Sequence, residues 1–434
     1  MFALIVSCIT GVAVFLAVLI KPYFNVGKFK IGTYWLISLL GAVVLLISGS
    51  VPLNYLWQNL TAKTSVNPLK ILVLFFGMTA ISVFLDEAGF FRYLANAVLK
   101  RTRNSQIKLF VTLYIVVSVL TVFTSNDIVV LTFTPFICLF CKKANINPVP
   151  YLFAEFVGAN TWSMLLIIGN PTNIYLASYA GIDFASYFLK MALPTCFAGI
   201  TSFIILLLIF KKSLKKPMTA VATSEECIED KPSLIVGLIC LVVCTVLLVI
   251  SSYISLEMYL IAGGTAIALF IAVLILKLCR KKQLKPLGAT LKRLPYELIP
   301  FLISMFVIVL SLDYCLVTEK IGKLLFAWQP IFTVGISSFF ISNIINNIPM
   351  SVLYGAVIGA GGESTAYLQG IYSAIIGSNI GAYFTPVGAL AGIMWVSILK
   401  RFEVDFSFKR YIAYGASVGF PTLLSALLGL LIVI

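Results

Sequence analysis

The residues best able to do chemistry in this chain sit in the middle of apolar stretches. Ser125-Asn126-Asp127 interrupts the run 107–140, and Ser342-Asn343 with Asn346-Asn347 interrupts 329–358. Gly169-Asn170-Pro171-Thr172-Asn173 breaks the run 151–181, and Thr385-Pro386-Val387-Gly388 breaks 370–399. Amides and hydroxyls at such points can hold an ion or small polar solute without any fixed charge. A helix stopped by proline or glycine adds to this, because its last carbonyls and first N–H groups are left unpaired. The N-terminal end carries roughly +0.5 of an elementary charge and suits an anion; the carbonyl end suits a cation. Asp127 is the one carboxylate in these four clusters. An ionised acid deep in a bilayer is costly unless paired, hydrated or protonated, so Asp127 is read as functional and as the site of proton or cation coupling. The structural alternative is that it caps the helix that follows it. Asn160 and Ser378-Asn379 lie a turn or more before the two breaks, where they either line the same pocket or tie adjacent helices.

Other chemistries are excluded by what the chain lacks. It contains no His, so His-ligated metals and His proton relays are absent, and no cofactor site is expected. No nucleophile, base and orienting group converge, so an enzyme is not the reading. Cys138 and Cys141 have redox-motif spacing, but they end an apolar segment rather than open a soluble α/β unit. Glu155, one turn into its apolar run, reads as an interfacial glutamate reaching water, with a place in a proton path as the sharper alternative. Asp86 and Asp313 end apolar runs and read as solvated helix ends; Trp162, Trp328 and Trp395 read as anchors or packing.

The elements that must position these clusters are membrane helices. Of 434 residues, 61% are hydrophobic and 11% charged, against about 25% charged in a soluble domain. Runs 2–20, 31–49, 69–85, 191–210, 233–252, 258–276, 298–312 and 411–434 are nearly free of charge. A helix crossing the hydrocarbon core needs about 20 such residues. The net charge of +15 sits in short loops, where it sets orientation rather than binding nucleic acid. Run 107–142 is too long for one crossing and too short for two, which predicts a re-entrant hairpin turning at Ser125-Asn126-Asp127. Run 329–358 is read the same way. With both hairpins and both termini outside the cytoplasmic membrane, 26 of the Lys and Arg residues fall inside, and Lys63, Lys70, Lys190, Lys320 and Lys323 fall outside. Each half then crosses five times, so the second enters upside down. Pro68–Asp86 answers Pro295–Asp313, Gly158-Ala159-Asn160 answers Gly377-Ser378-Asn379, and Asp183-Phe184 answers Asp405-Phe406. The expectation is an all-α polytopic protein of two inverted repeats, 1–216 and 233–434, joined by a cytoplasmic linker 217–232. Interrupted segments at matching places in two inverted halves point to a midplane transport site.

Ser125-Asn126-Asp127 followed by Leu131-Thr132-Phe133-Thr134-Pro135 resembles the Asn-Asp…Thr-Pro motif of the arsenite permeases. Asn346-Asn347-Ile348-Pro349, Gly377-Ser378-Asn379-Ile380-Gly381 and Thr385-Pro386-Val387-Gly388-Ala389-Leu390 are similar to their second half. Gly169-Asn170-Pro171-Thr172-Asn173-Ile174 looks like the broader anion-permease pattern. These motifs place about 66–430 in the ion-transporter superfamily with the citrate-transporter-like domain. Its members include arsenite permeases, sodium/proton antiporters and dicarboxylate permeases. Asp127 stands where sodium-coupled dicarboxylate carriers have Thr. The resemblance implies an elevator-type transporter, a homodimer and coupling to H+ or Na+. The leading expectation is a secondary active permease for a small inorganic ion or oxyanion, arsenite-type and proton-coupled. A sodium/proton antiporter or sodium-coupled carboxylate carrier with an organic anion substrate is the runner-up, and an ion channel is the rival from another class.

Overall fold

A computed structural model describes residues 2–20, 23–26, 29–62, 67–102, 105–218, 230–251, 253–280, 285–361 and 364–434. Most of the predicted linker 217–232 lies outside the described residues, as do Lys21, Lys28, Lys63 and Arg103.

The chain is nearly all helical. α1 (Phe2–Ile20) leads into a short antiparallel ribbon, β1 (Tyr23–Val26) and β2 (Phe29–Gly32). α2 (Thr33–Ile47), α3 (Leu53–Leu60), α4 (Pro68–Glu87) and α5 (Phe90–Arg101) follow. α6 (Gln106–Phe123) and α7 (Asn126–Ala144) occupy the first predicted hairpin, α8 (Val149–Trp162) and α9 (Pro171–Tyr179) the first broken helix. Next come α10 (Phe184–Leu214), α11 (Lys231–Val249), α12 (Met258–Cys279), α13 (Lys285–Arg293), α14 (Leu298–Tyr314) and α15 (Val317–Phe326). α16 (Pro330–Ile345) and α17 (Asn347–Gly361) fill the second hairpin, and α18 (Ser364–Gly381) and α19 (Leu390–Arg401) the second broken helix. α20 (Phe408–Val433) closes the chain, starting two residues later than the match of Asp183-Phe184 to Asp405-Phe406 implies. Ser407 caps it, as Asp183 caps α10.

Seven described helical segments are long and apolar enough to cross a membrane: α4, α6, α10, α11, α12, 286–314 and α20. Ile239, Val242, Ile267 and Ile271 on α11 and α12 are exposed, which suits a lipid-facing surface. Inside, α4 packs on α12 and α14 on α2; α6 packs on α8 and α16 on α18. α7 lies against α19, α17 against α9, and the two long helices α10 and α20 against each other.

Side-chain contacts fix the direction of each hairpin arm. Gln106 meets Tyr151 and Thr121 meets the Ala159 carbonyl, so α6 runs parallel to α8. Asn126 meets Asn160 and Thr134 meets Glu155, so α7 runs antiparallel to α8. The chain therefore reverses at Thr124-Ser125, two residues in extended conformation. In the second hairpin, Gly335 lies against Gly377 and Ser342 against Gly381, while Ile358 lies against Gly370, which gives the same reversal. The arms are longer than a half-depth loop needs. At 1.5 Å per residue, the 18 residues of α6 reach about 27 Å, most of a ~30 Å hydrocarbon core. The depth of the tip is thus set by the tilt of the arms.

Candidate functional site

The first break is held open by its own side chains. α8 stops at Trp162 and gives way to two 3-10 turns, Ser163–Leu165 and Ile167–Gly169. Carbonyls freed there find donors: Asn173 Nδ2 donates to Ser163 O (2.8 Å) and Leu166 O (3.2 Å). Asn170 caps α9 by accepting from the Thr172 N–H at 3.2 Å, and Pro171 fills the first helical position, where no N–H is needed. At Gly169 any Cβ would stand 2.3 Å from Ser163 O, so only glycine fits the turn.

Asn379 joins this break to α18. Its Oδ1 accepts from Asn170 Nδ2 (2.8 Å) and Ser163 Oγ (3.0 Å), and its Nδ2 donates to Asn173 Oδ1 (2.7 Å) and Ile375 O (2.8 Å). Ser378 Oγ donates to Thr172 Oγ1 at 3.0 Å. Asn160, Ser163, Thr172, Asn173, Ser378 and Asn379 are fully buried. Ser163 joins this network and was not among the residues expected there; Thr134 and Glu155 bond each other apart from it. Ser163 carries a legible signal, because it sits one turn beyond Asn160 at the start of the break.

The second tip is closed in the same way. Asn343 Oδ1 accepts from the Thr385 N–H (2.9 Å) and Thr385 Oγ1 (2.7 Å), and its Nδ2 donates to Phe339 O and Gly381 O. Asn346 Nδ2 donates to Val387 O at 3.0 Å, while its Oδ1 accepts from the Ile348 N–H at 3.3 Å. Its backbone stands at φ +73°, ψ 155°, a region that is nearly glycine-only and costs a few kcal/mol. A Cβ at Gly388 would meet Gly381 O at 2.7 Å and Asn343 Oδ1 at 2.8 Å, so Pro386–Gly388 presses directly on the tip. Asn347 and Ser342 are buried beside it, Ser342 bonding back to Phe339 O.

The first tip differs. Asn126 Nδ2 donates to Asn160 Oδ1 at 2.9 Å, but the buried Asn126 Oδ1 has no donor. Asp127, in the first turn of α7, has no hydrogen bond or ion pair among the described residues and keeps partial access. It is not a cap: Ser125 holds the cap position, and makes no cap bond either. A carboxylate without a partner and an amide oxygen without a donor thus occupy consecutive residues in the first turn of α7. Such a carboxylate can take up a proton or a small cation.

Two sequence expectations are corrected. Glu155 does not reach water: it is fully buried, and both carboxylate oxygens lie 3.1 Å from Thr134 Oγ1. Counting residues from the end of α8 misses that α7, α19 and α20 cover this face. Asp86 is not a solvated helix end: it is 6% exposed and paired with Arg293 of α13 at 2.7 Å. Asp313 accepts from Thr318 (2.7 Å) and Tyr55 (3.2 Å). Cys138 and Cys141 are buried free thiols. Trp395 is fully buried packing, whereas Trp328 is exposed as an anchor would be.

Comparisons with known proteins agree with this architecture. Residues 15–372 match the family described as citrate transporter. The arsenical pump membrane protein of Escherichia coli K12 is 24% identical over 408 residues, covering 90% of this chain and 91% of the relative. The protein of that name from Yersinia enterocolitica is 25% identical over 441 residues, covering 96% and 97%. Among solved structures, the YdaH transporter of Alcanivorax borkumensis superposes with a TM-score of 0.56 at 15% identity, covering 99% of this chain and 96% of that one, a likeness of fold alone. A broken-helix, two-hairpin membrane protein matched along most of its length by one family model has its place: the chain belongs to the citrate transporter family and is a multi-pass membrane transporter.

Proposed function

We propose that the protein is a secondary active permease for a small inorganic solute of the arsenite type, coupled to protons through Asp127. One observation carries this reading: Asp127, at the first hairpin tip, is a carboxylate with no hydrogen bond or ion pair among the described residues, next in sequence to Asn126, whose buried Oδ1 lacks a donor. None of the hydrogen-bonded groups at the two breaks is a Lys or Arg, which favours a neutral or singly charged solute over a multiply charged anion. Arsenite is such a solute, an uncharged trihydroxide near neutral pH, and relatives covering nearly the whole chain are named arsenical pump membrane proteins. Asp127 already occupies the positive end of α7, so an anionic substrate would be repelled there.

The two halves, 1–216 and 233–434, are taken as inverted repeats in the cytoplasmic membrane, both termini outside. Their packing supports this: α4 on α12 answers α14 on α2, α6 on α8 answers α16 on α18, and α7 on α19 answers α17 on α9. In this reading, hairpins and broken helices form a body that slides against α2, α4, α12 and α14, the protein working as a homodimer. A sodium-coupled reading is the second choice, favoured by the two oxygens at the first tip, which suit a small hard cation.

The test is uptake into proteoliposomes of arsenite, sulfate, citrate and sodium, with and without a pH gradient. Arsenite flux that follows the gradient is expected, with the gradient response lost in Asp127→Asn. Gradient-driven flux unchanged in that variant would remove the coupling role; sodium-driven citrate flux would install the second reading.

A further inference from the structure

Glu155 is used by nothing described so far, yet it is a fully buried carboxylate with a single hydrogen-bond donor, Thr134 Oγ1. Among the described residues it has no ion pair. From α7, the Cys138 thiol lies within electrostatic reach, one turn beyond Thr134, and Asp127 lies two turns the other way. From α19, the Trp395 indole faces the carboxylate, and its buried N–H closes no hydrogen bond. From α20, the Tyr411 ring stands 6.2 Å from Phe156 and 5.8 Å from Trp395, its buried hydroxyl also without a partner. On α8 itself, Tyr151 lies one turn before Glu155.

Tyr151 continues the polar line outward. Its hydroxyl donates to Gln106 Oε1 at 2.8 Å, and Gln106 Nε2 donates to the carbonyls of Lys216 (2.9 Å) and Pro217 (3.2 Å) at the end of α10. In the topology above, that end is cytoplasmic. A chain of hydrogen bonds therefore runs from the end of α10 through Gln106 to Tyr151, one turn of α8 before Glu155. On the other side Thr134, which bonds Glu155, lies about 10 Å along α7 from Asp127, seven residues at 1.5 Å each. An acid of this kind inside a membrane protein costs too much to keep as inert packing, where glutamine or leucine would serve.

We infer that Glu155 is a second proton-exchanging group, the relay between the cytoplasmic mouth at Gln106–Tyr151 and the coupling site at the first hairpin tip. This rests on the proton-coupled reading of Asp127. The relay accepts a proton at the Glu155 carboxylate and returns it along the same face of α7, with Thr134 as donor to its ionised form.

Two measurements test it. Infrared difference spectra of the purified protein between acid and alkaline pH should contain a protonated-carboxyl C=O band that Glu155→Gln removes and Asp127→Asn retains. Thr134→Val, which keeps the acid but loses its donor, should move that band. In proteoliposomes, Glu155→Gln should slow gradient-driven arsenite flux about a hundredfold, while arsenite–arsenite exchange without a gradient stays at the wild-type rate. An unchanged infrared band, wild-type driven flux, or exchange that falls in step with driven flux would each overturn the relay. Wild-type protein that exchanges arsenite but ignores the gradient would instead sink the coupling assigned to Asp127, and the infrared band would still decide Glu155 by itself.

Discussion

At the scale of single residues, the interior divides into groups that hold each other and groups left open. Asn170, Asn173, Ser378 and Asn379 read from sequence as ligands, but every one of them makes hydrogen bonds within the network. Cutting one partner from such a network leaves others buried and unsatisfied, at about 1–3 kcal/mol each. Gly388 is the tightest test of the closed second tip. Gly388→Ala pushes a methyl against Asn343 Oδ1 and Gly381 O, so thermal unfolding in detergent should report a loss of about 1–3 kcal/mol. Gly264, with nothing within 4 Å of its would-be Cβ, is the matched control, and Gly264→Ala should be neutral or slightly stabilising. Equal behaviour of the two variants would deny that the break presses on the tip.

At the scale of elements, the breaks were legible because asparagine, proline and glycine clusters have few other uses within apolar runs. The chain reversals at the two tips were legible because polar residues interrupt apolar runs too long for one crossing. The short helices α3, α5, α13 and α15 were not: each is too short and too polar for a hydropathy reading, and α13 is placed by the Arg293 contacts with Asp86 and Glu87. The burial of Glu155 was invisible because it depends on α19 and α20, more than 200 residues along the chain. Helix starts carry their own chemistry. Asp183 caps α10 through the N–H groups of Ala185 (3.0 Å) and Ser186 (2.9 Å). Burial pushes this carboxyl up, but the hydrogen bonds from Ser186 and Ala185 outweigh it and hold it below its ordinary value. A depressed folded value means its stabilisation is complete above the unfolded pKa and drains as the pH falls through the folded one. Asp183→Ala should therefore cost about 1 kcal/mol at neutral pH, and the gap to wild type should close below about pH 4. A gap independent of pH would show that the charge plays no part.

At the scale of the whole molecule, the proposed sliding body and its frame meet along α4 and α9. A cavity of about 270 Å³ opens there, lined by Ile71, Leu74, Ser178 and Ile182 and rimmed by the Lys70–Glu257 ion pair. Cysteines at Leu74 and Ser178 in a background without native cysteines, joined by a short reversible cross-linker, should stop transport until the link is reduced. Full transport by the cross-linked protein would exclude relative motion at this seam. The open first tip has one more consequence. The halves correspond in their packing, yet only one tip presents a free acid; under the proton-coupled reading proposed above, the cycle has a single charge to neutralise and release. Exchanging one proton for an uncharged solute then leaves one elementary charge uncompensated per turnover. The membrane voltage would do work on every cycle, about 2.3 kcal/mol for each 100 mV, and the carrier would run as a current.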